Sequence, residues 1–180
     1  MLEIIVPAAE FWDEVKEEFV YKKEKALQLE HSLVSLSKWE SKWHKAFLGK
    51  QDKSDEEILD YIRCMTLTQN VDPEVYSRLS DKNYADINAY INAPMTATRF
   101  YEEQKTRGSR ETVTSELIYY WMISYRIPVD FQKWHLNRLL TLIRVFNLKN
   151  SPPKKMSSSE ILKRNASLNK ARRNRHNSKR

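Results

Sequence analysis

The sequence predicts a mainly α protein: a helical domain with a small N-terminal β-hairpin, followed by a C-terminal basic helical arm. Three observations point there. The 180 residues contain two glycines, Gly49 and Gly108, too few for the many tight turns of an all-β sandwich or barrel. Apolar residues recur at three- and four-residue steps in successive segments bounded by capping residues or proline. The densest apolar content lies in residues 111–150, ETVTSELIYYWMISYRIPVDFQKWHLNRLLTLIRVFNLKN, with one break at Ile127-Pro128. A chain of this length buries a core as one ordinary domain. That domain is expected at 1–150 and the arm at 151–180.

In chain order, Leu2–Val6 reads as a short strand closed by Pro7. Residues 18–29, EFVYKKEKALQL, form a second extended candidate, with Phe19, Tyr21, Leu27 and Leu29 at period two. Pro7-Ala8-Ala9-Glu10 between them is turn-like, which makes a hairpin; the alternative is a charged helix over 10–30. Over 35–48, SLSKWESKWHKAFL, Leu36, Trp39, Trp43 and Phe47 recur at helical steps, and Gly49 is expected at the C′ position. Ser54-Asp55-Glu56-Glu57 is a capping box opening a helix through Ile58, Tyr61, Ile62 and Met65. Asp72-Pro73 opens a short helix, with Asp72 at the N-cap and Pro73 at N1. Residues 83–91 read as another helix, ended by Pro94. Residues 94–108 are an unpatterned connector, after which Ser109 is the expected cap of the central pair.

Pro128 has a fixed φ and no N–H, so it suits a first helical turn and disfavours helix at Ile127. Two helices, roughly 111–126 and 128–149, are expected to meet at that corner. In the second, Phe131, Trp134, Leu139, Leu142 and Phe146 fall near one side, and Leu136, Leu140 and Ile143 widen the stripe. Beyond it, Ser151-Pro152-Pro153-Lys154-Lys155 has the composition of a polyproline-II linker. Ser157 and Glu160 form a second capping box before Ile161, Leu162 and Leu168, and the helix turns wholly basic beyond Lys170.

Charge is unevenly spread. Residues 151–180 hold ten Lys or Arg and one acid, Glu160, a net of +9; against +7 for the whole chain this leaves 1–150 at −2. The protein is a mildly acidic body with a basic tail. The arm can contact nucleic-acid phosphates through Lys163, Arg164, Lys170, Arg172, Arg173 and Arg175, or dock on an acidic protein surface. It lacks aromatic residues, which weakens single-strand stacking.

Several classes are excluded. Two glycines rule out GxGxxG and GxxxxGK phosphate loops. Cys64 is alone, so no intramolecular disulfide forms. No apolar stretch follows a basic N-terminal segment, and residues 117–148 are interrupted by Arg126, Asp130, Lys133, Arg138 and Arg144. Neither a signal peptide nor a membrane span is expected, and a reducing cytoplasm is. His31, His44, His135 and His176 are scattered without HxxxH or Cys/His spacing, so no metal site is expected. His135 beside Trp134 reads as a satisfied core or interface histidine, and Cys64 as a small buried thiol rather than a nucleophile. Glu56/Glu57 and Glu102/Glu103 sit in polar surroundings that raise no pKa. No catalysis and no cofactor are expected.

Five segments carry a resemblance: TSELIYYWM at 114–122, WHLNRLLTLIR at 134–144, PPKKM at 152–156, LEHSLVSLSKWESKW at 29–43 and CMTLTQNVD at 64–72. Together, over most of the chain, they resemble a family of small proteins of tailed bacteriophages of Gram-positive hosts. That family is similar to the tail assembly chaperones that accompany the tape measure protein. The resemblance implies a non-enzymatic, mainly helical partner binder that works on other phage tail or virion proteins, in the cytoplasm of the infected host. A permanent virion subunit, its arm on a neighbouring subunit or packaged nucleic acid, is the alternative; self-association is compatible with either. As partner-facing residues we take Trp39, Trp43, Trp134 and Arg138. Plain core packing is the competing reading for the tryptophans, and a base-stacking platform a further one for Trp39 and Trp43.

Overall fold

The computed structural model describes residues 1–14, 17–100, 112–150 and 158–177. It is mainly α with an N-terminal antiparallel hairpin, as the sequence predicts. The chain divides into two compact units, Met1–Phe146 and Asn147–Arg180. Among the described residues no helix is long and apolar enough to cross a membrane.

The hairpin is longer than expected and is broken in the middle. Strands β1 (Leu2–Val6) and β4 (Lys25–Leu29) pair antiparallel with Ile4 opposite Leu27. Strands β2 (Ala9–Asp13) and β3 (Glu18–Lys22) form a second two-stranded sheet with Trp12 opposite Phe19. Pro7-Ala8-Ala9-Glu10 is therefore not the turn: Ala9 and Glu10 already belong to β2. Pro7 lacks an N–H and interrupts the ladder instead of reversing the chain. Arg78 fills the interruption. Its Nη1 donates to the carbonyls of Pro7 at 3.0 Å and Lys23 at 3.2 Å, one on each side of the break.

The inner sheet obeys period two. Ile4, Val6, Leu27 and Leu29 are buried while Glu3, Ile5, Ala26 and Gln28 are exposed. The outer ribbon has no such cover on its aromatic side, where Phe19 and Tyr21 are exposed although they share parity with Leu27 and Leu29.

Helix α1 (Leu33–Trp43) starts at Ser32, whose side chain accepts from the Ser35 amide in a capping box. It ends at His44, which takes the left-handed conformation at φ 53°. Gly49 is thus not the C′ residue; its amide donates to Ala46 O at 3.1 Å, and a Cβ there would lie 3.0 Å from that same oxygen. Helix α2 (Asp55–Met65) carries the predicted Ser54/Glu57 box. The short α3 (Glu74–Ser77) has its Glu74 amide on the Asp72 carboxylate at 3.0 Å. Helix α4 (Asp81–Asn92) is capped by Ser80 and stops before Pro94.

Helix α5 (Ser115–Ser124) is capped by Thr114; the expected cap Ser109 lies outside the described residues. After Pro128 the chain does not form one continuous helix. Val129–Lys133 is a 3-10 turn, Trp134 is extended, and α6 begins only at Leu136 (Leu136–Asn150). The interruption is held by tertiary pairing. His135 bridges to Ser32, and the Leu136 amide donates to His31 O at 2.7 Å. Phe131 and Trp134 therefore do not continue the stripe of α6, whose buried residues are Leu136, Leu139 and Ile143.

Two apolar clusters form the core. The first joins β1 and β4 with Trp39, α2, α3 and α4; the second joins Leu33 and Leu36 with Ile118, Met122, Ile127 and α6. Helix α1 serves both, and residues between Val113 and Phe146 supply most of the second. Leu33, Leu36, Leu136 and Leu139 are fully buried, each contributing roughly 1.5–3 kcal/mol of transfer free energy.

The second unit is described through α7 (Ser158–Asn177). Every side chain described in it is exposed. The Pro152-Pro153 linker and the Ser157/Glu160 box lie outside the described residues and side chains.

Candidate functional site

The apolar stripes of α2 and α4 do not close completely on each other. Ile58, Tyr61 and Ile62 face Tyr84, Ile87, Asn88 and Ile91 across a groove of about 360 Å³. Both sets follow helical spacing, i, i+3, i+4 on α2 and i, i+3, i+4, i+7 on α4. Tyr61, Ile62 and Ile87 are buried and make the floor; Ile58 and Tyr84 stand exposed on the rim at 40% and 38%. Phe47 closes one end, stacked on Tyr61 with centroids 3.8 Å apart. Lys53 lies over the Phe47 ring at 4.7 Å, the one cationic group of a mainly apolar lining that also includes Asn88. The volume is at the low end for a small-molecule site. An open apolar trough between two helices suits the apolar edge of a third helix.

The walls are held by polar bonds between α1 and α2. Lys42 Nζ and Trp43 Nε1 both donate to the Asp60 carboxylate, at 2.5 and 2.9 Å. Burial works against ionised Asp60, yet these two donors hold it below the usual carboxylate range. Lys45 donates to Glu57, and with the Ser54 amide it keeps that carboxyl low as well. Trp39 Nε1 donates to the Glu57 carbonyl at 2.8 Å, so the N-terminal half of the groove helix α2 is pinned at Glu57 and Asp60. Glu40 is buried: its Oε1 accepts from the Phe47 amide at 2.8 Å and its Oε2 from the Ser115 amide at 2.7 Å. It thereby sets both the groove's end wall and the start of α5.

The residues singled out from sequence fall in different places. Trp39 is core at 1% exposure, the competing reading, and Trp43 is half-buried beside it. Trp134 is half-buried and Arg138 exposed, with the Arg138 guanidinium 3.9 Å from the Trp134 ring and Phe131 stacked on that ring at 3.9 Å. Lys163, Arg164, Lys170, Arg172, Arg173 and Arg175 lie on α7, exposed along its length. Of the groove residues, Phe47 is read from sequence only as part of the Trp39/Trp43 stripe, and the stripes of α2 and α4 only as helix faces. Their periodicity was legible, but nothing in one sequence says that two adjacent stripes leave a gap.

Burial, then Asp60, pushes the Cys64 thiol up, which disfavours the thiolate. His135 is a satisfied interior histidine, as the sequence suggests: Nε2 donates to Tyr90 O at 3.0 Å and Nδ1 accepts from the Asn137 amide at 3.3 Å. Among the described residues no group of three or more His, Cys, Asp or Glu side chains could hold a metal ion. No protein-family model, curated protein or solved structure matches the chain.

Proposed function

We propose that this chain is a non-enzymatic bacteriophage tail morphogenesis protein, a tail assembly chaperone that binds helical segments of the tape measure or tail tube protein. The groove between α2 and α4 carries the reading. It offers an apolar floor, an aromatic end wall and one lysine, which is the chemistry that receives an amphipathic helix without fixing its sequence. The motifs at 29–43, 64–72, 114–122 and 134–144 supply the resemblance to the tail-morphogenesis family. The neutral thiol and satisfied histidine fit a protein that binds instead of reacting.

A second reading, a structural subunit of the virion, is favoured by α7, whose basic side chains are exposed over a 20-residue helix. Such an arm fits a neighbouring subunit or packaged nucleic acid. Quantitative mass spectrometry of mature particles separates the two. Absence from particles, with a photo-crosslinker at Tyr84 capturing tape measure or tail tube protein in infected cells, supports the chaperone. Presence at fixed copy number overturns it in favour of the subunit.

A further inference from the structure

We propose that the outer β-ribbon of one copy is the docking surface for the basic helix α7 of a second copy, so that the chain self-associates through reciprocal ribbon–arm contacts. The site is independent of the groove. In the β2–β3 pairing, Trp12 lies opposite Phe19 and Glu10 opposite Tyr21, which puts Glu10, Trp12, Phe19 and Tyr21 on one face of the ribbon. Trp12 and Phe19 meet edge to face with centroids 5.0 Å apart. Trp12, Phe19 and Tyr21 are nevertheless 50%, 67% and 63% exposed. A two-stranded ribbon carrying three aromatic side chains on one open face is an unfinished layer.

Charge says what covers it. Residues 10–18, EFWDEVKEE, hold five acids and one lysine, a net of −4; Glu10 lies on the aromatic face, Glu18 on the opposite face across from Asp13, and both are exposed, as are Glu14 and Glu17 between the two strands. The complementary surface on the page is α7. It exposes an apolar edge of Ile161 and Leu168, two turns apart on one side, with Arg172 one turn beyond Leu168 on that side and Lys163, Lys170 and Arg173 around the rest of the helix. Aromatic faces accept both halves of that surface, aliphatic side chains by burial and cations over their rings. Surrounding carboxylates set orientation and on-rate. A helix as polar as α7 is marginal alone in water, so docking stabilises it as well.

The test is sedimentation velocity of the full chain, nuclease-treated, over a range of concentrations at low and high salt. Concentration-dependent association that weakens with salt is expected. Trp12→Ala raises the dissociation constant by about thirtyfold, the scale of a truncated aromatic anchor. Reversing the ribbon (Glu10→Lys, Glu14→Lys, Glu18→Lys) or the arm (Lys170→Glu, Arg172→Glu, Arg173→Glu) leaves each variant monomeric. Mixing the two reversed variants restores association, because each arm again meets a ribbon of opposite charge. Circular dichroism confirms that the variants are folded. A wild-type chain that stays monomeric at every concentration overturns the proposal. So does association that survives ribbon reversal, or that disappears when nucleic acid is removed.

Discussion

His31 and His135 meet edge to face with ring centroids 5.1 Å apart, joining the end of β4 to the start of α6. Both are buried. His31 Nδ1 shares a 2.6 Å hydrogen bond with the Tyr61 hydroxyl, while His135 uses both ring nitrogens on backbone groups in its neutral form. A proton on either ring would be desolvated. Burial and then the charge of His135 hold His31 down to about 4; burial also lowers His135, against the hydrogen bond to the Tyr90 carbonyl and the charge of Glu30.

This pair makes folding stability pH-dependent. The unfolded His31 titrates near 6.5 and the folded one near 4, so between those values the unfolded chain binds more protons. Stability is fully present above about 6.5 and is lost as pH falls towards 4, by roughly 3 kcal/mol from His31 at most. Urea unfolding at closely spaced pH values will show the decline. His31→Asn should flatten it, and an unchanged slope in that variant would place the acid sensitivity elsewhere.

Glu40 is a buried carboxyl with a defined duty. Its two oxygens take the Phe47 and Ser115 amides, and the second lies at the positive N-terminal end of α5. Glu40→Ala leaves two buried amides unpaired and should cost about 3 kcal/mol in urea unfolding. Glu40→Gln retains one acceptor oxygen and should cost about half of that. Equal losses in the two variants would mean that packing volume, not the pair of amide bonds, is what Glu40 supplies.

What the sequence made legible follows the range of the forces involved. Caps are local chemistry: the Ser54/Glu57 box forms as its spacing suggests, and the Asp72 carboxylate takes the Glu74 amide, although Pro73 and not Asp72 is the N-cap residue of α3. Periodicity located α1, α2 and α4 to within a few residues. The errors came where a distant partner decides the local conformation. Trp134-His135 leaves the helix because Ser32 pairs with it, 103 positions away in sequence on another element. Pro7 reads as a turn only until Arg78 is seen bonding the carbonyls on both sides of the break. Glu40 has nothing in its neighbourhood to mark it as buried. The groove is a gap between two correctly identified stripes, a property of packing that no single stripe contains.

The arm is expected to be dispensable for the stability of the first unit. Every described side chain of α7 is exposed, including Ile161, Leu162 and Leu168. Removing residues 151–180 should leave the melting temperature of the remaining chain within about 2 °C, the range of surface changes under 0.5 kcal/mol. A drop of 10 °C in thermal unfolding would show that the arm contributes to the core and would move the domain boundary.

The groove separates binding from folding along its depth. Ile87 is on the floor at 3% exposure, so Ile87→Ala opens a cavity and should cost about 2–4 kcal/mol whatever the partner. Ile58 and Tyr84 are on the rim, where a polar end reaches solvent at little cost. Ile58→Lys and Tyr84→Lys should shift stability by less than about 1 kcal/mol. Each should nevertheless weaken capture of the proposed tape measure helix by at least about tenfold, since a lysine on the rim adds a cation beside Lys53 where the proposed partner's apolar edge is buried. Fluorescence anisotropy with a labelled helical segment reads the affinity, and urea unfolding of the same samples reads the stability. Rim variants that fold and bind like the wild type would remove the groove from the function, because Ile58 and Tyr84 are the exposed large hydrophobic side chains of its two helical walls.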